Sequence, residues 1–293
     1  KQQARQTDIV ALLQSRGEHL KRSGKEYVWR DGSEKVTVRG NLWFHQYERI
    51  GGDAVDFVRR FYNMDFPQAV NFLLGNNGVS LPKAKPVKQE PKKPFELPPQ
   101  NDNMRRVYAY LLNRRGIDRE VLSAFVHKGM VYESADYHNA VFVGYDEHGI
   151  ARHAHKRGTG SESTYKGNAE SCDPRYSFHW TGTDNTLYLF EAPIDMLSFI
   201  SLHKENWRSH SYAAACCVGD QVLFQMLKAN PNIDTVCLCM DNDAAGQAAN
   251  KRISDKLFIQ GIKHEVLVPE FKDWNEDLLY DEQEETECQT LQL

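Results

Sequence analysis

The sequence lacks the cysteines that a structural zinc site would need. Its first 100 residues hold no cysteine, no C-x-x-C pair occurs anywhere, and the only histidines of that first segment are His19 and His45. A structural zinc site takes four Cys or His ligands. Two histidines do not complete such a site, so we expect no zinc.

Most of the cysteines lie in apolar stretches. Of six in the chain, four belong to the stretches YAAACCV and VCLCM: Cys216, Cys217, Cys237 and Cys239. Thiols in such surroundings are typical of small buried core residues. Unpaired thiols fit a reducing compartment, so we expect a cytoplasmic protein.

Two further absences exclude classes of protein. No apolar run approaches the roughly 18 residues of a membrane helix, so we expect no membrane association. No G-x-x-x-x-G-K-[ST] motif is present, so the chain does not carry its own P-loop helicase. The net charge of −4 argues against a protein that coats nucleic acid indiscriminately, but it is compatible with local basic patches.

Prolines and lysines are concentrated in residues 81–100, a composition that predicts an extended linker between domains. Residues 1–80 are predicted to form a small α+β module. Residues 101–182 are predicted to form an α+β basic subdomain, residues 183–280 an α/β domain, and residues 281–293 an acidic tail.

Within the basic subdomain, local signals predict particular elements. Asp102 is the expected N-cap of a helix over residues 104–113, and Asp146 to Gly149 form the expected turn of a hairpin. His153 and His155 alternate along the next strand. They are interpreted as partly buried polar residues rather than metal ligands.

The α/β domain is predicted from apolar strands that alternate with helices. The expected strands are Leu187–Phe190, Ser211–Val218, Thr235–Met240 and His264–Val268. Continuous apolar strands separated by helices indicate a parallel sheet covered by helices on both faces.

Five acidic residues follow these strands: Glu191, Asp195, Asp241, Asp243 and Asp273. We call them the acidic cluster. Ligand sites of α/β sheets lie at the carboxyl ends of the strands. Carboxylates held together repel one another, and oxygen ligands favour Mg²⁺ or Mn²⁺, which position phosphoryl groups. The alternative for each residue alone is a helix N-cap.

Residues 189–195 (LFEAPID) and 239–249 (CMDNDAAGQAA) resemble the Toprim domain of bacterial primases, topoisomerases and related nucleases. The resemblance implies a Mg²⁺ site with Asp241 and Asp243 as ligands and Glu191 as ligand or general acid/base. It also places Asp273 as a late acidic ligand. Ala192 stands where the family usually has glycine.

The resemblance to primases extends upstream. Residues 110–125, 149–157 and 164–170 resemble the primase catalytic core, which implies contacts to template and incoming nucleotide through Arg152, Lys156, Arg157 and Lys166. An exposed charged face is the alternative. Residues 8–74 resemble the zinc module of primases without its ligands. We expect aromatic residues to pack its core instead: Tyr27, Trp29, Trp43, Phe44 and Tyr47.

The resemblance implies a DNA primase-like nucleotidyltransferase that makes short primers on single-stranded DNA from nucleoside triphosphates. A nuclease using the same carboxylates is one alternative. A non-catalytic nucleic-acid-binding accessory of plasmid or mobile-element replication or transfer is another. A separate helicase or replication initiator is the expected protein partner.

Overall fold

The computed structural model describes residues 2–31, 34–46, 50–75, 93–216 and 219–281. The chain divides into two compact units, Lys1–Pro91 and Lys92–Leu293. The boundary between them falls inside the predicted linker, of which residues 81–92 lie outside the described residues, as do Tyr47 and all of the predicted tail except Asp281. No helix in the described ranges has both the length and the hydropathy of a membrane-spanning segment.

The first unit is an antiparallel sheet packed against helices. Its strands lie in the order β1 (Leu20–Ser23), β2 (Glu26–Asp31), β3 (Glu34–Arg39), β4 (Leu42–His45) and β5 (Gly51–Gly52). Its helices are α1 (Gln2–Arg5), α2 (Ile9–Ser15), α3 (Ala54–Phe61) and α4 (Phe66–Leu73). Asp8, Asp53 and Asp65 cap the last three, because each side chain accepts bonds from backbone N–H groups of the first turn.

Aromatic rings fill the core of the first unit, as the missing zinc ligands led us to expect. Trp29 and Trp43 are buried and both contact the ring of Phe61, at 5.1 and 5.2 Å between centroids. Phe44 was also expected in this core, which is wrong. It follows the buried Trp43 in a strand whose side chains alternate between faces, so its ring is exposed.

The second unit begins with residues 93–99, which have no regular secondary structure. A helical segment follows, comprising α5 (Arg105–Tyr108), a π-helical stretch (Ala109–Arg114) and α6 (Arg119–His127). An antiparallel sheet comes next, with β6 (Val131–Glu133), β7 (Ala140–Tyr145), β8 (Ala151–Arg157) and β9 (Lys166–Asn168) in chain order. Asp146 and Ile150 close the predicted hairpin turn between β7 and β8, since the Asp146 amide donates to the Ile150 carbonyl over 2.9 Å.

The predicted N-cap of the first helix is wrong. The cap position of α5 is Met104, not Asp102. The buried carboxylate of Glu133 on β6 accepts bonds from the Arg106 and Val107 amides at 3.0 and 3.2 Å. A side chain that is 26 residues away in sequence thus accepts the hydrogen bonds of the first turn of α5.

The second sheet of this unit is the predicted parallel one. Its order is β10 (His179–Trp180), β12 (Ser211–Ala214), β11 (Thr186–Phe190), β13 (Thr235–Cys239) and β14 (Lys263–Val266), with only the edge strand β10 antiparallel. Helices α7 (Pro193–Leu202), α8 (Gln221–Ala229), α9 (Ala244–Ile259) and α10 (274–281) follow its strands. Strand β12 ends at Ala214, before the predicted end at Val218, which lies outside the described residues.

The two sheets of the second unit share one hydrophobic core. This core joins α6 and β7 of the antiparallel sheet to α7, β11 and α10 of the parallel sheet. His153 and His155 are buried at 0% and 3% exposure, and burial lowers the pKa of His155 to about 4. Cys216, Cys237 and Cys239 are buried, as their apolar surroundings predicted, and Cys217 lies outside the described residues. The architecture is therefore α/β with an α+β subdomain and a small α+β first unit.

Candidate active site

The parallel sheet brings the acidic cluster to one edge. Strands β11 and β13 are adjacent and parallel, with Phe190 opposite Cys239. Glu191 and Asp241 follow these two residues closely, so they leave the sheet at the same edge. Asp195 lies in the first turn of α7, directly behind that edge. The order of elements thus gathers residues that are 50 positions apart in the sequence.

Asp241 lies at the centre of this cluster. Its Oδ1 is buried and has no hydrogen-bond partner among the described residues. Burial, followed by the nearby carboxylates of Glu191, Asp273 and Asp243, raises the pKa of Asp241 to about 7. A carboxylate that is desolvated and surrounded by others favours a proton or a cation.

Glu191 and Asp195 have the same surroundings. Burial raises the pKa of Glu191, while Lys166 opposes this shift more strongly than any other side chain. Burial raises the pKa of Asp195 well above its ordinary value, and Asp241, Asp273 and Glu191 add to it. Each carboxylate is therefore close enough to the others to change their ionisation.

Asp243 and Asp273 combine the cap role with a place in the cluster. Asp243 Oδ1 accepts from the Ala245 and Gly246 amides at 2.9 and 2.8 Å, at the start of α9. Asp273 Oδ1 accepts from the Asn275 and Glu276 amides at 3.1 and 2.9 Å, at the start of α10. Both caps fix the direction of the carboxylate, since the backbone amides hold one of its oxygens in place.

Close backbone packing holds the Asp241 turn in position. A Cβ on Gly246 would lie 2.0 Å from the Asp241 carbonyl oxygen, so only glycine fits there. The Asn242 amide donates to the Lys272 carbonyl at 2.8 Å, which joins this turn to the segment before Asp273. The two acidic turns are therefore connected through backbone as well as through charge.

The carboxylate oxygens of the acidic cluster are the ligand type that a hard divalent cation prefers. All five members of the cluster offer carboxylate oxygens, which Mg²⁺ and Mn²⁺ prefer. As they are placed, no three His, Cys, Asp or Glu side chains of the described part stand close enough to hold a metal ion.

The four basic residues selected from the sequence lie on different faces of the antiparallel sheet. Arg157 pairs with Lys166 across β8 and β9, so these two share a face. Lys166 acts on the pKa of Glu191, which places this face towards the acidic cluster. Arg157 Nε donates to the Tyr110 hydroxyl at 3.3 Å.

Lys156 and Arg152 do not join that face. Lys156 precedes Arg157 in the strand and therefore points to the opposite side. It lines a groove together with Pro94, Pro98 and Pro99. Arg152 is held by Asp146 through an Nε–Oδ2 contact of 2.7 Å, so its charge is already paired within the hairpin.

Sequence reasoning missed three residues next to the acidic cluster: Lys272, Arg115 and Asn275. Lys272 opposes the raised pKa values of Glu191 and Asp241. Asn275 is buried, accepts from Arg115 Nη1 at 2.9 Å and donates to Ser198 Oγ at 2.9 Å. Arg115 also acts on the pKa of Asp195. No local pattern signals a contact across 160 residues.

Two protein families match the second unit. Residues 109–184 match a family described as a protein of unknown function, DUF3991. Residues 188–278 match the family described as Toprim-like. An uncharacterized protein of Bacillus anthracis, pXO2-78, is 26% identical over 269 residues, covering 86% of this chain and 78% of its own length.

Solved primase structures align with the chain at low similarity. The Aquifex aeolicus primase, with its zinc-binding and RNA polymerase domains, is 16% identical over 98% of this chain and 83% of its own, with a TM-score of 0.42. The primase fragment of the bacteriophage T7 primase-helicase is 19% identical over 61% of this chain and 73% of its own, with a TM-score of 0.45. The acidic cluster lies within residues 188–278, and this part of the chain is a Toprim-like domain.

Proposed function

We propose that this protein is a DNA primase-like nucleotidyltransferase that makes short primers on single-stranded DNA. Mg²⁺ or Mn²⁺ would be held by Glu191, Asp241 and Asp243, with Asp195 and Asp273 beside them. The observation that carries the proposal is the gathering of these carboxylates at one edge of the Toprim-like domain, with Asp241 Oδ1 buried and unpaired among the described residues.

The surrounding charges suit phosphate chemistry. A bound divalent cation supplies charge neutralisation at the reacting phosphoryl group. Lys166 and Lys272 both act on the pKa of Glu191, and they offer ammonium groups to the phosphates of a nucleotide or a template. Glu191 is either a third metal ligand or the group that exchanges a proton with the attacking hydroxyl.

The test is primer synthesis on single-stranded templates of varied sequence, with labelled nucleoside triphosphates and Mg²⁺ or Mn²⁺. The wild type is expected to make short labelled oligonucleotides, and Asp241→Asn with Asp243→Asn is expected to make none. Asp234→Asn is the matched control, because Asp234 stands before β13, at the opposite end of the strand that Asp241 follows. Cleavage of the template instead of synthesis would assign the site to a nuclease.

A second candidate function is a non-catalytic nucleic-acid-binding accessory of plasmid or mobile-element replication or transfer. One observation favours it: residues 1–100, which include the segment that resembles the zinc module of primases, contain no cysteine. This candidate predicts unchanged binding of single-stranded DNA by Asp241→Ala, with and without Mg²⁺, and no synthesis by any variant. A Mg²⁺-dependent gain in binding that Asp241→Ala abolishes would exclude it.

A further inference from the structure

The groove lined by Lys156 is a cavity on the side of the antiparallel sheet that faces away from the acidic cluster. Its volume is about 900 Å³, within the range of small-molecule sites. Lys156 lines it, whereas the adjacent Arg157 lies on the other face with Lys166. We call this cavity the proline groove, because Pro94, Pro98 and Pro99 form one wall.

The wall of the proline groove is fixed to the sheet. The Ala135 amide donates to the Pro99 carbonyl at 2.7 Å. Phe95 packs on the small core beneath, formed by Tyr132, Val141, Val143, Ala154 and Ala169. The cavity is therefore bounded by an anchored segment, although the sequence of that segment predicted only a linker.

Two loops form the opposite rim and are joined to each other. Thr159 Oγ1 donates to the His138 carbonyl at 2.7 Å, and Arg114 donates to the Gly160 and Ser161 carbonyls at 3.0 and 2.9 Å. Tyr137 and His138 both have left-handed backbones, with φ of 63° and 54°. Two consecutive non-glycine residues in this region store strain, and such strain is concentrated at binding sites.

Tyr137 gains no packing in return for that conformation. Its side chain is 88% exposed at the mouth of the groove. Tyr165 lines the same cavity, is 46% exposed and carries Lys156 Nζ 5.7 Å from its ring centre. Two open aromatic faces beside a cation are typical of sites that stack a planar base.

The charges of the groove favour a free nucleotide over a nucleic-acid strand as its ligand. Lys93 pairs with Glu170 at 3.4 Å. The other ionised groups of the lining are Arg106, Lys156, Glu96 and Asp136, and none of them forms an ion pair within the described residues. A surface that follows a phosphate backbone is uniformly basic. Cations beside carboxylates suit a ligand with one phosphate end and with hydroxyl or amino donors on its ribose and base.

We propose that the proline groove binds a free nucleotide, separate from the acidic cluster. The phosphates lie against Arg106 and Lys156, the base stacks on Tyr137 or Tyr165, and Asp136 or Glu96 accepts from the ribose or the base. The site needs no divalent cation, because its own cations meet the phosphate. The proposal is independent of primer synthesis.

The test is fluorescence anisotropy of methylanthraniloyl-ATP with the full chain in EDTA, which removes any contribution of a metal at the acidic cluster. Saturable binding is expected, with competition by unlabelled ATP. Arg106→Glu with Lys156→Glu is expected to weaken binding at least about tenfold, since both phosphate contacts become repulsive. Asp241→Asn is expected to leave it within about twofold, since it lies outside the groove.

Two further variants complete the test. Tyr137→Gly removes the ring and suits the left-handed backbone, so the fold is retained while binding weakens about fivefold. Lys228→Glu, an exposed charge reversal on α8, is the matched control and leaves binding unchanged. The proposal is overturned by equal affinity of all variants, by absence of saturable binding up to about 1 mM, or by a probe that oligo(dT) displaces and ATP does not.

Discussion

At the scale of single residues, Asp241 connects the site to stability. Its folded pKa of about 7 lies above the ordinary value, so between about pH 4 and pH 7 the folded chain binds a proton that the unfolded chain has lost. Stability from this group is therefore present at low pH and is lost as the pH rises through 7. The amide of Asp241→Asn does not ionise, so this variant does not lose stability in this way as the pH rises.

The expected result is that Asp241→Asn unfolds at higher denaturant concentration than the wild type at pH 8, by about 1 to 3 kcal/mol in free energy of unfolding, and equals it at pH 4. Urea titrations at both pH values measure the difference. Asp255→Asn, which removes an exposed carboxylate on α9, is the control. A constant difference at all pH values would contradict the raised pKa.

Gly246 provides a second prediction at this scale. Helix propensity alone predicts that Gly246→Ala stabilises α9 by about 1 kcal/mol. The added Cβ would meet the Asp241 carbonyl oxygen at 2.0 Å, so we expect destabilisation by about 1 to 3 kcal/mol instead. Thermal unfolding measures it, with the exposed Gln247→Ala as a neutral or stabilising control. A rise in Tm for Gly246→Ala would show that the turn relaxes freely.

At the scale of elements, the start of α5 depends on a distant side chain. Glu133→Ala leaves the Arg106 and Val107 amides without their acceptor, and we expect a loss of about 2 to 4 kcal/mol because the Val107 bond is buried and the Arg106 bond is partly buried. Asp102→Ala, the cap that local sequence favoured, is expected to change stability by less than about 0.5 kcal/mol. Equal losses would restore Asp102 as the cap.

Local patterns predicted elements well where a short segment decides its own conformation. The apolar strands β11 and β13 were both predicted, because continuous burial depends on neighbours in sequence. Strand β9 was missed, since KGN has no apolar alternation and owes its conformation to pairing with β8.

The sequence predicted which residues form the acidic cluster, but it predicted only some of the residues around them. Placing Glu191, Asp241 and Asp243 required only the rule that ligand sites lie at the carboxyl ends of parallel strands. The contact between Arg115 and Asn275 depends on the packing of α10 against the π-helical stretch, which leaves no periodic signal. Lys156 and Arg157 lie on opposite faces of the antiparallel sheet. Assigning each to its face required knowing which residues of β8 and β9 pair.

At the scale of the whole second unit, the two family segments share one core. Phe125 of the segment 109–184 stacks on Trp207 of the Toprim-like domain at 5.7 Å between centroids. Phe125→Ala is therefore expected to destabilise both segments by about 3 to 5 kcal/mol. Hydrogen exchange measures this, with the amides of β7 and β13 accelerated by the same factor. Phe258→Ala is the control, because that ring is 79% exposed and its removal creates no cavity. Faster exchange in β7 with β13 unchanged would mean that the two segments fold separately. The Toprim-like domain would then hold the acidic cluster in place without the antiparallel sheet.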